Sequence, residues 1–374
     1  MKKNLLKTHK NKAFCIACAC FLLAGSGMCL FLPKAEYSYM ERRRLAAMPK
    51  LSADAVRSRR FMSDFESYAA DQFPFRDSFR MLKAFAAGGL FFRQDNNGIY
   101  AAGGHLCAME YPMDEASLRN AADRFRFICE TYLSDSNHVY LSVIPDKNCF
   151  LAKGHGRLCM DYALFEEKMA AFTDFAQYIS ISDLLEKDDY YRTDPHWRQE
   201  KVTDVAKRLA QSMGAQPQET GLFADTAAHT LELDFYGAYY GQAALPFAPD
   251  SISYLTNHTI ETCSAYDWQN KKQIPVYDLE KAEGRDAYEM FLGGSLSLVT
   301  IDNPNAQSNK RLVLFRDSFG SSIAPLLADG YQQVTLVDIR YLAPEMLGRF
   351  LDFEGCDVLF LYSTLVLNHS DTLK

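Results

Sequence analysis

The sequence predicts an α/β fold: a three-layer α/β/α domain on a parallel sheet, preceded by a transmembrane helix. Three observations predict it. A run of 20 residues near the N-terminus carries no charge. Five short apolar segments further on alternate with helical stretches. Residue types suited to chemistry follow two of those segments, where open parallel sheets place their ligands.

The chain has 374 residues, enough for one large domain or two modest ones. Hydrophobic residues are 48% and charged residues 23%, the balance of a chain that packs a core. That excludes collagen-like, low-complexity and disordered classes. The net charge of −7 excludes a nucleic-acid partner, which needs a basic face. The division expected is a cytoplasmic tail and membrane anchor over 1–33, a juxtamembrane helical part over 34–135, and the α/β domain over 136–374.

The first element is Ala13 to Leu32, long enough as a helix to span about 30 Å of hydrocarbon. Lys2, Lys3, Lys7, Lys10 and Lys12 precede it, and the positive-inside rule then puts the N-terminus in the cytoplasm and the bulk outside. A signal peptide cleaved near Ala24, Gly25 and Ser26 and a buried core helix are the rivals. The apolar run continues to Leu32, which favours an uncleaved anchor. Four of the 10 cysteines lie in this segment. The other six show no zinc-ligand spacing, and no metal or other cofactor is expected. Cys149 and Cys159 are candidates for a disulfide or for free thiols.

From Arg60 to Leu90 the pattern is helical, broken at Phe73-Pro74-Phe75. Asn97 to Tyr100 and Gly103 to Leu106 read as a hairpin. Met113 to Leu133, Asp161 to Gln177 and Trp197 to Met213 read as helices. Val139–Ile144, Ile179–Ile181, Leu312–Phe315, Val334–Val337 and Val358–Leu361 are expected to form one parallel sheet. Ala215 to Asn309, rich in Tyr, Thr, Gly and Asp, reads as an irregular or small β insertion outside that sheet, near the mouth of the site.

Two segments carry chemistry. In Phe315-Arg316-Asp317-Ser318-Phe319-Gly320, Ser318 stands between a strand's carboxyl end and a helix start, where backbone N–H groups can face a developing oxyanion. The plain alternative is a helix cap. In Tyr191-Arg192-Thr193-Asp194-Pro195-His196-Trp197, Asp194 and His196 supply a carboxylate and a base two residues apart. Capping is again the alternative, since Asp-Pro is a common helix start. A serine hydroxyl needs a base to take its proton and a third group to hold that base. The two segments together supply all three.

These segments resemble the DHHW-type proteins of Gram-positive bacteria and the alginate O-acetyltransferase-like proteins, within the SGNH hydrolase-like group. The resemblance runs from about Glu41 to about Tyr362. It rests on Glu41-Arg42-Arg43-Arg44-Leu45-Ala46 with Pro49, Asp71-Gln72-Phe73-Pro74-Phe75-Arg76 and Asn97-Gly98-Ile99-Tyr100. It continues through Ile144-Pro145-Asp146-Lys147, Thr193-Asp194-Pro195-His196-Trp197, Tyr288 to Gly294, Arg316-Asp317-Ser318-Phe319 and Asp338-Ile339-Arg340-Tyr341. It implies an SGNH-like fold and a Ser318–His196–Asp194 triad. The chain departs from the family at Pro195, where DHHW-type proteins carry a first His. Arg316 replaces the Gly of Gly-Asp-Ser, and Ser295 follows Gly293-Gly294 where an Asn is expected.

The resemblance implies an extracytoplasmic, membrane-anchored O-acyl (acetyl) transferase or esterase acting on a cell-surface or exported polysaccharide. A membrane-bound acyl-exporting transferase is then an implied partner. Candidate oxyanion or substrate-binding residues are Arg316, Asp317, Ser295, Tyr191, Trp197 and Arg340. The alternative is an inactive glycan-binding or assembly protein on the same fold, which the departures at Arg316 and Ser295 favour.

Overall fold

In the computed structural model, which describes residues 2–38, 40–215 and 226–374, the chain opens on helix α1 (Lys2–Phe31). Its stretch Lys12–Cys29 is long and apolar enough to cross a membrane and is nowhere buried against protein. By internal contacts the chain divides into two units, residues 1–93 with 244–246, and residues 94–243 with 247–374.

The first unit continues with α2 (Arg60–Asp71) and α3 (Arg76–Phe85). The expected break between them is a bend at buried Pro74, after which Phe75 takes a left-handed φ of 56°. Charge holds this unit together. Glu41 pairs with Arg43, Arg76 and Arg80 at 3.1, 2.5 and 3.1 Å. Asp71 takes two bonds from Arg43, at 2.5 and 2.7 Å, and one from the Ala46 N–H at 2.8 Å. The Arg43 bonds hold the Asp71 carboxyl down to about 2.

The second unit is built on an eight-stranded sheet. Its helices are α4 (Glu115–Tyr132), α5 (Tyr162–Phe172), α6 (Thr203–Ser212) and α7 (Gly320–Leu327). The strands of this sheet, in chain order, are β1 (His138–Ile144), β2 (Gln177–Tyr178), β3 (Ser264–Asp267), β4 (Lys272–Ile274), β5 (Leu298–Asp302), β6 (Arg311–Arg316), β7 (Gln333–Val337) and β8 (Asp357–Ser363). Across the sheet they run β4-β3-β5-β7-β6-β8-β1-β2. The five strands from β7 to β2 are parallel, with Leu314 of β6 beside Leu336 of β7 and Leu359 of β8.

Three expectations need correction. The sheet is mixed, because β5 pairs antiparallel with β7, and β3 and β4 continue it antiparallel. Those strands come from Ala215–Asn309, so part of that stretch belongs to the sheet it was expected to avoid; its residues 216–225 lie outside the described residues. The strand expected at Ile179–Ile181 sits two residues earlier. Beyond it, Ile179 still donates its N–H to Leu141 O, but the chain then turns into the Ser182–Leu184 helical turn. The helix expected from Trp197 starts only at Thr203, because Trp197 is held in a bridge to Tyr190. Cys149 and Cys159 are free thiols.

Alternation along the strands makes the three layers. On β6, Leu312 and Leu314 point into one core, with Val205 and Leu209 of α6 and Ile323 of α7. Val313 and Phe315 point into the other, with Leu118, Phe125 and Ile128 of α4 and Phe165 of α5. The carboxyl end of β6 is thus fixed on both faces.

Candidate active site

Beyond β6 the chain turns tightly before α7, and Asp317 makes that turn. Its Oδ1 accepts the Phe319 N–H at 3.0 Å, and its Oδ2 accepts the Ser363 N–H at the end of β8 at 2.8 Å. Gly320 lets the helix start this close to the strand, since a Cβ there would stand 2.5 Å from Arg316 Cβ. Ser318, half-buried between buried neighbours, is therefore held on a two-strand support just before the first turn of α7.

The second segment is a narrow loop from Tyr190 to Trp197. Those two residues bridge antiparallel, and Tyr191 donates its N–H to His196 O at 3.0 Å. Asp194, Pro195 and His196 form its tip. His196 Nδ1 lies 2.5 Å from Asp194 Oδ1, and Nε2 lies 2.7 Å from Ser318 Oγ. A carboxylate only accepts, so Nδ1 carries the proton and donates to Asp194. Nε2 is left to accept the Ser318 hydroxyl. Asp194 is buried and its Oδ2 takes the Ala238 N–H at 2.8 Å, which fixes the carboxylate plane.

Several supports of this loop carry no local motif. Asp250 accepts the Arg192 N–H at 2.9 Å, the Thr193 N–H at 2.8 Å and the Thr193 hydroxyl at 2.6 Å. Gly237 donates its N–H to Thr193 Oγ1 at 2.8 Å, and a Cβ on it would stand 2.3 Å from Asp194 Cβ. Buried Lys147 donates to Tyr191 O at 2.8 Å, and burial pushes its ammonium down to about 8. Tyr288 stacks flat on the His196 ring, with centroids 3.9 Å apart and planes at 9°. Burial raises the Tyr288 phenol well above its ordinary value, so it stays protonated and donates to Ser322 Oγ at 2.8 Å. Lys147 and Tyr288 lie in stretches quoted for the family resemblance, where their tie to this loop had no local sign. Gly237 and Asp250 lie in the stretch read as an insertion.

The other sequence candidates divide. Trp197 is fully buried, donates its indole N–H to Ser322 Oγ at 2.9 Å and packs edge-on against Phe319. Tyr191 is fully buried against Phe235 and Tyr288. Both are wall, and neither offers a ring to a sugar. Arg316, expected to bind an oxyanion or substrate, is engaged by protein groups. It is buried, 3.6 Å from Asp338, and donates to the carbonyls of Asp317 and Leu296. Arg340 grips the same Asp338 with two bonds at 2.9 and 2.7 Å. Burial alone would lower the Arg340 guanidinium; those bonds carry it above its ordinary value. Ser295 is exposed, in the turn after Gly294. Among the described residues, no group of three or more His, Cys, Asp or Glu side chains is placed to hold a metal ion.

No protein-family model matches the chain, and no curated protein matches it. Solved structures do. A DHHW family protein from Eubacterium siraeum superimposes with a TM-score of 0.60 at 21% identity, over 74% of this chain and 94% of that one. PatB1 of Bacillus cereus, solved with a sulfonyl adduct, gives 0.54 at 17% identity, over 72% and 97%. At these identities the likeness is one of fold. It is the fold to which the sequence motifs point: the chain shares the α/β fold of these two structures.

Proposed function

We propose that the chain is an extracytoplasmic O-acyl (acetyl) transferase or esterase, anchored by α1, that acts on a cell-surface or exported polysaccharide through Ser318, His196 and Asp194. The observation that carries this reading is the unbroken hydrogen-bonded line from Ser318 Oγ through the His196 ring to a buried carboxylate. A cap would need none of that line.

The chemistry is acyl transfer in two halves. Ser318 Oγ attacks the acyl carbonyl while His196 Nε2 takes its proton. Asp194 steadies the imidazolium through Nδ1. The negative charge that develops on the carbonyl oxygen faces the first turn of α7, where peptide dipoles favour it. His196 then returns the proton to the leaving oxygen, and the acyl group rests on Ser318. A sugar hydroxyl, or water, enters by the reverse steps. The lysines that precede the apolar stretch of α1 support an orientation with the catalytic unit outside the cytoplasm. A membrane-bound partner that exports the acyl group supplies the donor. The inactive reading leaned on Arg316 and Ser295; Asp338 engages the Arg316 side chain, and Ser295 lies exposed in the turn after Gly294.

The test is made in cells. Replacing the natural chain by its Ser318→Ala variant should lower the base-labile acyl content of the surface polysaccharide if the chain is a transferase, and raise it if an esterase. Unchanged content overturns the proposal.

A further inference from the structure

Helix α3 is inside out for a helix in water. Its inward face carries Ala84, and two of its arginines, Arg76 and Arg80, reach Glu41. Its outward face carries Phe79, Leu82 and Phe85, 41, 61 and 73% exposed. Spacing by three residues sets these side chains along one side of the helix. The helical turn Ala86–Leu90 and the two residues after it extend the patch, with Leu90, Phe91 and Phe92 at 66, 68 and 84%. A protein bathed only in water rarely leaves so many large apolar side chains contiguous.

The position of this face says what covers it. A Cβ on Gly25 of α1 would stand 3.9 Å from Phe73 Cζ, in the bend before α3. Leu32 and Pro33, where the chain leaves α1, line one recess with Phe73, Pro74 and Phe75. Lys34 donates to Cys29 O at the same place. The bend into α3 therefore meets the end of the apolar span, the level at which a spanning helix leaves the hydrocarbon.

We propose that α3 and the turn after it lie in the lipid–water interface of the bilayer that α1 crosses, with Phe79, Leu82 and Phe85 among the acyl chains. The partner is the lipid surface itself. The Glu41, Arg43, Asp71, Arg76 and Arg80 network then has a reason the catalytic reading does not give. Beside the apolar outer face of α3, these five charges pair with one another. The inference rests on α1 spanning the bilayer and is independent of catalysis.

The test uses the purified full-length chain in vesicles of phosphatidylcholine and phosphatidylglycerol, with and without dibrominated acyl chains. Phe85→Trp places a reporter on the exposed face, and Leu22→Trp places one in α1. Circular dichroism matching the unsubstituted chain establishes folding of each variant. The expected result is blue-shifted emission from Phe85→Trp, with bromine quenching at least about twofold stronger than that of the native tryptophans. Water-like, unquenched emission from Phe85→Trp while Leu22→Trp is quenched overturns the proposal and leaves the face to a protein. If neither reporter is quenched, the span and the proposal both fall.

Discussion

The two units of this chain solve the problem of burying charge in opposite ways. In residues 94–243 with 247–374, apolar side chains fill both faces of the sheet, and charged groups go inside only where a partner fixes them. In residues 1–93, Glu41 and Asp71 gather arginines into partly buried ion pairs, and Phe75, Phe85, Phe91 and Phe92 face outward. Burial of a charge is unfavourable unless it is paired. The sheet unit concentrates its buried charges around the Ser318 turn and the His196 loop, where rigidity serves chemistry. The first unit spends its charges on shape, which suits an environment less polar than water.

The largest effect that would break this contrast lies at the site. Ser318→Ala should lower acyl transfer or ester hydrolysis about 10⁴-fold, with His196→Ala similar, because such groups act as a unit. Both variants should melt at the temperature of the unsubstituted chain. A loss of only a few-fold would mean that the hydrogen-bonded line is structural.

Next comes the core. Phe360 is fully buried and stacks on Phe125 and Phe315, with centroids 4.4 and 4.9 Å away. Phe360→Ala should destabilise by about 3–5 kcal/mol, read from denaturant unfolding.

A third effect is a pH slope. Burial, then the nearby Glu110 carboxylate, pushes buried Asp146 up to about 6 from its ordinary 3.8. The folded state thus holds this proton more tightly than the unfolded chain. Stability from Asp146 is fully present below about pH 4 and is lost as pH rises through about 6, on the order of 3 kcal/mol. Asp146→Asn keeps the shape and should remove that slope from melts recorded between pH 4 and 7. An unchanged slope would assign it elsewhere.

Gly237→Ala sharpens the contrast further. The added methyl has no room beside Asp194 and should cost about 1–3 kcal/mol, with a loss of activity larger than the loss of stability. Equal losses would mean that Gly237 serves packing alone. The smallest effect belongs to the outward face of the first unit. Phe85→Ser should change unfolding by no more than about 0.5 kcal/mol.

Sequence made some of this legible and hid the rest for physical reasons. Leu312–Phe315 and Val358–Leu361 are continuous apolar runs, and Val334–Val337 is one but for Thr335, because the sheet there is covered on both faces. The strands at one edge of the sheet and next to it lack that signature: Lys272–Ile274 and Ser264–Asp267 are short and half polar, and only pairing reveals them. Leu298–Asp302 carries the β-branched run Val-Thr-Ile, but it lies within a stretch read as irregular. At the site, the Ser318 turn and the Asp194–His196 pair were visible because each is a local motif. Asp250 and Gly237 were not, because their role exists only once distant backbone folds onto Thr193 and Asp194. Arg316 is a similar case. Its place after a strand was readable, but its burial against Asp338 was not.

The central claim is that Ser318 is a nucleophile activated by His196. Its most direct measurement is intact mass of the purified full-length chain after brief exposure to p-nitrophenyl acetate, with peptide mapping of any adduct. The account predicts one added acetyl group, on the peptide containing Ser318, absent from Ser318→Ala and strongly reduced in His196→Ala. Acetylation confined to lysines, or equal labelling in all three proteins, would contradict it.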